Sequence, residues 1–186
     1  TSADISYRIL PSPHFLIKDS RILLSVGEKK KSIAEIKDLK IFLSQRNFFN
    51  KEKMNIIKLV INRANFSLLR SDIKLLNELT SKKFPKKKIQ INNSNIFLKN
   101  NLEEIISIIK VKKTTLFFDD EKLLNIFNLK GEIFNIPFAF NFNIRNDSIK
   151  YKETNFSSKP LKLVIFNKST SKKKLTSGEN NLSILN

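Results

Sequence analysis

Apolar and polar residues alternate along several long stretches of this chain, and a period of two marks a strand with one face turned away from water. Leu39, Ile41 and Leu43 alternate with Asp38, Lys40, Phe42 and Ser44. Phe138, Phe140, Phe142 and Ile144 alternate with Ala139, Asn141, Asn143 and Arg145, and Leu161, Leu163 and Ile165 repeat the pattern before Asn167. From Ile105 to Phe117 both faces are apolar at first, and the run turns polar at Lys110, Lys112 and Lys113. Isoleucine, phenylalanine, valine and threonine dominate these segments and suit a pleated surface. Two stretches read as short helices instead. Ser71 caps Asp72 to Lys82, with Ile73, Leu76 and Leu79 on one face, and Asp120 caps Glu121 to Asn128, with Leu123, Leu124 and Phe127 as a stripe. Leu129 and Ile133 then continue into a strand across Gly131.

An octapeptide recurs three times, as Ile17 to Leu24, Ile61 to Leu68 and Ile91 to Leu98. Its pattern is apolar, two polar residues, a small residue (Ser20, Ala64 or Ser94), one polar residue, then apolar-x-Leu. Ile61 and Phe66 are five apart, so in a regular strand they would face opposite sides. One extra residue restores the face, which is the work of a β-bulge, and a small side chain suits the tight spot beside it.

No boundary interrupts residues 1–168, which we expect to form one β-rich domain of a longer protein. Residues 169–186 read as a polar loop, with Lys172 to Lys174 and Gly178, followed by the start of a truncated strand at Ser183 to Asn186. Thr1 stands where an initiator methionine would, so processing or excision is expected there too. No run approaches the roughly 18–20 apolar residues that span a bilayer, and Thr1 to Leu10 lacks the regions of a signal peptide. Any anchor is expected before Thr1.

The net charge of +18 ordinarily points to nucleic acid or an anionic membrane. Nearly all of the excess is lysine, however, with six arginines, and lysine, asparagine, isoleucine and phenylalanine are inflated together as A/T-rich codons would make them. Single-strand readers interleave stacking aromatics with arginine. Here sixteen phenylalanines face two tyrosines, and Phe138, Phe140 and Phe142 keep the regular apolar spacing of a core or lipid contact. The basic runs Lys29 to Lys31 and Lys86 to Lys88 are expected at turns, solvated or touching anionic head groups.

Enzyme chemistry is poorly supplied. The absence of cysteine removes disulfides, zinc-thiolate sites and thiol nucleophiles. His14, the single histidine, lies between Pro13 and Phe15 and reads as a turn residue. Gly27, Gly131 and Gly178 are isolated, whereas a phosphate-cradling loop needs clustered glycines. Glu103–Glu104 point to opposite faces of a strand, and Asp119 to Glu121 read as helix caps rather than a weak calcium site. No catalytic residue, metal site or cofactor is expected.

The first eighty residues resemble the N-terminal region of the AsmA family of bacterial envelope proteins. The stretch Asp4 to Phe15, with Pro11 and Pro13, followed by Leu16 to Ile22, looks like that family's strand, proline turn and second strand. Ile33 to Leu43 resembles its next strand, and Ile57 to Leu69 its strand-bulge-strand block. Beyond Thr80 the likeness rests on the repeated Ile91 to Leu98 block. The resemblance implies an inner-membrane-anchored protein facing the periplasm of a Gram-negative bacterium. It implies long twisted sheets with an apolar groove, related to bridge-like lipid-transfer proteins, and a part in outer-membrane assembly or phospholipid traffic.

Together these readings predict an all-β, antiparallel, strongly twisted meander-like sheet that forms an open groove, with one or two short helices. The expected partner is phospholipid or another acyl lipid, held by Leu39, Ile41, Leu43, Phe138, Phe140 and Phe142. Nucleic acid is not expected as a partner. The alternatives are a basic nucleic-acid-binding module, or a plain β scaffold that docks a protein through an open edge.

Overall fold

The computed structural model describes residues 4–26, 29–44, 55–72, 82–147, 150–172 and 175–184. Eleven strands follow one another along the chain: β1 (Asp4–Arg8), β2 (His14–Val26), β3 (Lys29–Leu43), β4 (Ile56–Leu69), β5 (Lys88–Lys99), β6 (Ile105–Asp119), β7 (Leu124–Ile133), β8 (Ile136–Asn146), β9 (Lys150–Ser158), β10 (Leu163–Lys172) and β11 (Leu175–Ile184). They form one sheet in sequence order, with β1 and β11 at its edges. All neighbours are antiparallel except β4 and β5, which run parallel. A short turn can join antiparallel strands, whereas a parallel pair needs a crossover, here residues 70–87, which open with the 3₁₀ turn Arg70–Asp72. The antiparallel meander of the sequence reading is therefore correct with one parallel step.

The extensive contacts of each strand are with its hydrogen-bonded neighbours alone. The accessible surface is 13362 Å² for a chain of 21.6 kDa, well above the roughly 9,200 Å² of a compact monomer of that mass. Burial is correspondingly thin. Ala34, Ile36, Ile61 and Ala64 form the core cluster, with Leu39, Phe66, Ile89 and Ile91 half-buried against it.

The recurring octapeptide marks a line across the sheet. Its third residue is Asp19, Arg63 or Asn93, and each adopts a left-handed backbone, with φ of 49°, 55° and 46°. Ile61, Ala64 and Phe66 consequently share one cluster despite their odd spacing, as the bulge reading required. The bulge differs from expectation in one respect. Pairing is unchanged on either side of the line between β2 and β3 (Lys18 with Asp38, Ser20 with Ile36), β3 and β4, β4 and β5, and β5 and β6. These five strands carry their extra residue at one level, so no step arises between them. The step appears between β6 and β7, where Val111 opposes Gly131 but Lys113 opposes Lys130. A Cβ on Gly131 would meet the Lys110 carbonyl oxygen at 2.8 Å, so the step requires glycine there.

Asparagine tolerates the left-handed region better than β-branched residues do. Replacing Asn93 with valine is expected to cost about 1–2 kcal/mol, while Asn93→Gly should be neutral or slightly stabilising. Urea denaturation of the two variants checks this.

Four expectations are corrected. Residues 121–128 are not a helix. Asp119 Oδ1 accepts from the Glu121 and Lys122 amides (3.0 and 3.1 Å), Leu123 turns at φ 53°, and β7 begins at Leu124. The short stripe Leu123, Leu124 and Phe127 competes poorly with two flanking ladders, and β-branched and aromatic side chains fit the strand. Residues 169–172 and 175–181 are not a loop but belong to β10 and β11, which pair without interruption from Leu163 with Ile184 to Lys172 with Leu175. Main-chain bonding there needs no apolar alternation. Leu161 lies in the turn before β10, and Lys29 to Lys31 and Lys88 belong to strands rather than turns. Of the helix expected over Asp72 to Lys82, residues 73–81 lie outside the described residues.

Candidate functional site: the apolar face of the sheet

Because neighbours on a strand point to opposite faces, the pairing register states which side chains share a face. One row runs through all eleven strands: Ile5, Ile17, Leu39, Ile61, Ile91, Thr114, Leu129, Phe140, Phe156, Ile165 and Leu182. Thr114 is its single polar member and is buried. A second row on the same face runs Tyr7, Phe15, Ile41, Leu59, Ile89, Leu116, Phe127 and Phe142 before turning polar at Thr154. Beyond the kink line a third joins Ile22, Ala34, Phe66, Ile96, Ile109, Ile133 and Ile136.

The kink line itself joins Ser20 with Ile36 and Ala64, and Ser94 with Val111, Gly131 and Phe138. Ala64 is fully buried and Ser94 is 2% exposed. Ser94 Oγ donates to the Asn92 carbonyl (2.8 Å) and accepts from the Ala64 amide (3.0 Å). The left-handed residues interrupt the parallel ladder, and this hydroxyl satisfies the amide left over.

Five of the six predicted contact residues fall on these rows: Leu39 and Phe140 on the first, Ile41 and Phe142 on the second, and Phe138 over Gly131. Leu43 lies at the end of β3, past a register slip against β4, and is buried, with its amide donating to the Pro13 carbonyl (3.0 Å). Sequence reasoning missed Phe127, Leu129 and Phe156, which extend the aromatic part of the face. Phe138 stacks on Phe156 at 5.6 Å and Phe127 meets Phe140 edge-on at 6.3 Å. Strand alternation within residues 124–133 was the signal that could have found the first two.

No protein-family model matches this chain, and no curated protein matches it.

The opposite face is mixed: Leu16 and Val60 are buried on it and Phe42, Phe117 and Ile126 also lie there, among polar rows. Lys18, Asp38, Asn62, Asn92 and Lys113 form one row, and Arg21, Glu35, Asn65, Asn95, Lys110 and Glu132 another. Asn92 donates to Asn62 (2.9 Å) and Asn95 to Asn65 (3.1 Å), tying the parallel strands. The hydrogen bond and charge of Lys37 hold the Asp19 carboxyl below its usual range. Glu132 is likewise lowered by the hydrogen bond from Lys110, against some desolvation. On β9, hydrogen bonding to Glu153, then burial, push the Tyr151 hydroxyl to about 12. Asp72, beside the crossover, is desolvated, yet the Leu69 amide and Lys31 bonds outweigh this and lower it.

Asp19 with Lys37 and Glu132 with Lys110 are ion pairs between neighbouring strands, Asp72 pairs with Lys31 from the turn after β4, and Tyr151 bonds Glu153 of its own strand. His14 is buried, bonds the Ser12 carbonyl through Nδ1 (2.8 Å) and stacks on Phe42. Among the described residues no three His, Asp or Glu side chains gather as metal ligands. Among them also, no helix is long and apolar enough to cross a membrane.

Proposed function

We propose that this chain is the sheet of a non-enzymatic cell-envelope protein that holds the acyl chains of phospholipid along its apolar face, in outer-membrane assembly or lipid movement between membranes. The observation that carries the reading is the row from Ile5 to Leu182, which crosses all eleven strands with one polar member. At about 4.8 Å between strands, ten intervals make a strip roughly 48 Å long. Such length exceeds the needs of a small-molecule pocket and suits an extended chain. Each buried methylene of an acyl chain contributes about 0.8 kcal/mol, so a dozen of them supply roughly 10 kcal/mol without any specific polar contact. The likeness of the first eighty residues to the AsmA family supports a place on the periplasmic side of the inner membrane, with an anchor outside this sequence, and a sheet curved into a groove.

The test is mass spectrometry of organic extracts from protein purified without detergent. Phospholipid near or above one molecule per chain is expected. A folded, lipid-free protein would sink the proposal.

A second reading has one observation in its favour. Lys58 lies directly opposite Lys88, and Lys113 opposite Lys130, so the mixed face sets like charges side by side, an arrangement that destabilises a sheet unless an anion relieves it. If nucleic acid is that anion, its affinity falls steeply with salt and the apolar-face variants leave it unchanged.

A further inference from the structure

A two-residue turn with both φ positive favours Asn-Gly, and a bulky side chain at its first position is an outlier. Phe134 and Asn135 are the whole of the turn between β7 and β8, at φ of 49° and 61°, with Ile133 and Ile136 paired across it. Phe134 is also 73% exposed. An aromatic ring that strains its turn and stands in water is a cost to folding, and such an outlier points to function. β9 ends on the same side of the sheet as β7, because β8 runs antiparallel between them. The β9–β10 turn there carries Leu161, 49% exposed. Lysine surrounds both tips. Lys110 donates to Asn135 (3.1 Å), and Lys159 and Lys162 stand on either side of Leu161. Close behind, an open cavity of about 280 Å³ is lined by Lys112, Lys130, Lys159, Pro137, Phe138 and Pro160. Glu132 takes up Lys110 and Lys112 (3.3 and 3.5 Å), whereas among the described residues Lys130 and Lys159 pair with no carboxylate.

We infer that the β7–β8 and β9–β10 turns dock on an anionic lipid bilayer, with Phe134 and Leu161 entering its apolar boundary and the lysines meeting phosphate head groups. The two tips are two strands apart, roughly 10 Å, and polar side chains stand between them. A protein partner needs a continuous apolar core at its interface. A bilayer instead takes separated apolar side chains, while lysine stems lie along them and the ammonium groups reach the head groups. The β5–β6 turn, on the same side of the sheet, carries Leu102 at 79% exposed. Glu103 and Glu104 stand beside it, and an anionic surface repels them. Strands also rotate by about 20–25° from one to the next, so a flat surface meets neighbouring turns and not the whole row. This inference goes beyond the holding of lipid on the apolar face and stands on the turns alone.

Flotation of the 186-residue chain with vesicles of phosphatidylglycerol and phosphatidylcholine tests it. The chain should float with them and bind about tenfold less tightly to phosphatidylcholine alone. Phe134→Asn together with Leu161→Ser should weaken binding to the anionic vesicles by about tenfold or more. Phe134→Asn by itself should raise the midpoint of urea unfolding, since asparagine tolerates the left-handed turn. Stability gained while binding is lost separates a membrane contact from a structural role. The chain has no tryptophan, so Phe134→Trp places a single indole at the tip. Its emission should shift to the blue on vesicles and be quenched by brominated acyl chains, whereas Leu102→Trp should show neither. The shift should persist when Ile41→Glu and Phe140→Glu are added, which separates docking from lipid held on the apolar face. A folded chain that does not float overturns the inference. So does undiminished binding by the Phe134→Asn, Leu161→Ser chain.

Discussion

A chain carrying both Ile41→Glu and Phe140→Glu is expected to purify with at least tenfold less phospholipid than the wild type while keeping its strand signal in circular dichroism. Ile41 stands between Phe15 and Leu59, and Phe140 between Leu129 and Phe156, so the two charges interrupt both long apolar rows. A carboxylate that displaces four or so methylenes from contact forfeits about 3 kcal/mol, which is on the order of a hundredfold in affinity. Both residues are half-buried and lie outside the core cluster, so the fold tolerates the change. Phe142 is a poorer choice, being 8% exposed, because a charge there would test folding as well as lipid. Retention equal to wild type in the folded double variant would remove the face from the mechanism.

The largest loss of stability is expected at the kink. Ala64 is fully buried, directly opposite Ile36 and beside the Ser94 hydroxyl that its own amide meets. Ala64→Leu inserts three carbons at a fully buried position packed within the core cluster, and overpacking costs about 1–3 kcal/mol. Displacing the Ser94 hydroxyl from the buried amide adds roughly 1–3 kcal/mol. The midpoint of urea unfolding should fall accordingly. Ser94→Ala should lose the second contribution alone, so the difference between the two variants separates crowding from hydrogen bonding. A well-tolerated leucine would mean that the strands can slide past the kink.

Much of this fold was legible locally. Alternation marked β3, β6, β8 and β10, and the repeated octapeptide marked where an extra residue is taken up, while the left-handed backbone of Asp19, Arg63 and Asn93 became visible only in the structure. The residues that failed did so for a common reason. Leu123, Leu124 and Phe127 satisfy a helical stripe as well as a strand, and the choice falls to β6 and β8, which lie on either side. The segment 169–181 has no apolar period at all, and its strands exist because β9 offers β10 a ladder and β10 offers one to β11. Of the face, Leu39, Ile41, Phe138, Phe140 and Phe142 were readable because each sits in an alternating run. Phe127 was hidden by the helical reading, Leu129 was read into a strand but not assigned to the face, and Phe156 was hidden by a strand whose other residues are mostly polar.

Local pattern thus decides, strand by strand, which side chains leave water and where an extra residue must be taken up, since both depend on neighbours two or three positions away. Tertiary structure alone decides that Ile5, Phe140 and Leu182 belong to one row. It also places the extra residues of five strands at one level and makes β4 and β5 run parallel. Those outcomes rest on hydrogen bonds between residues far apart in the chain, and the register of each pair is set by its partner strand as much as by its own side chains.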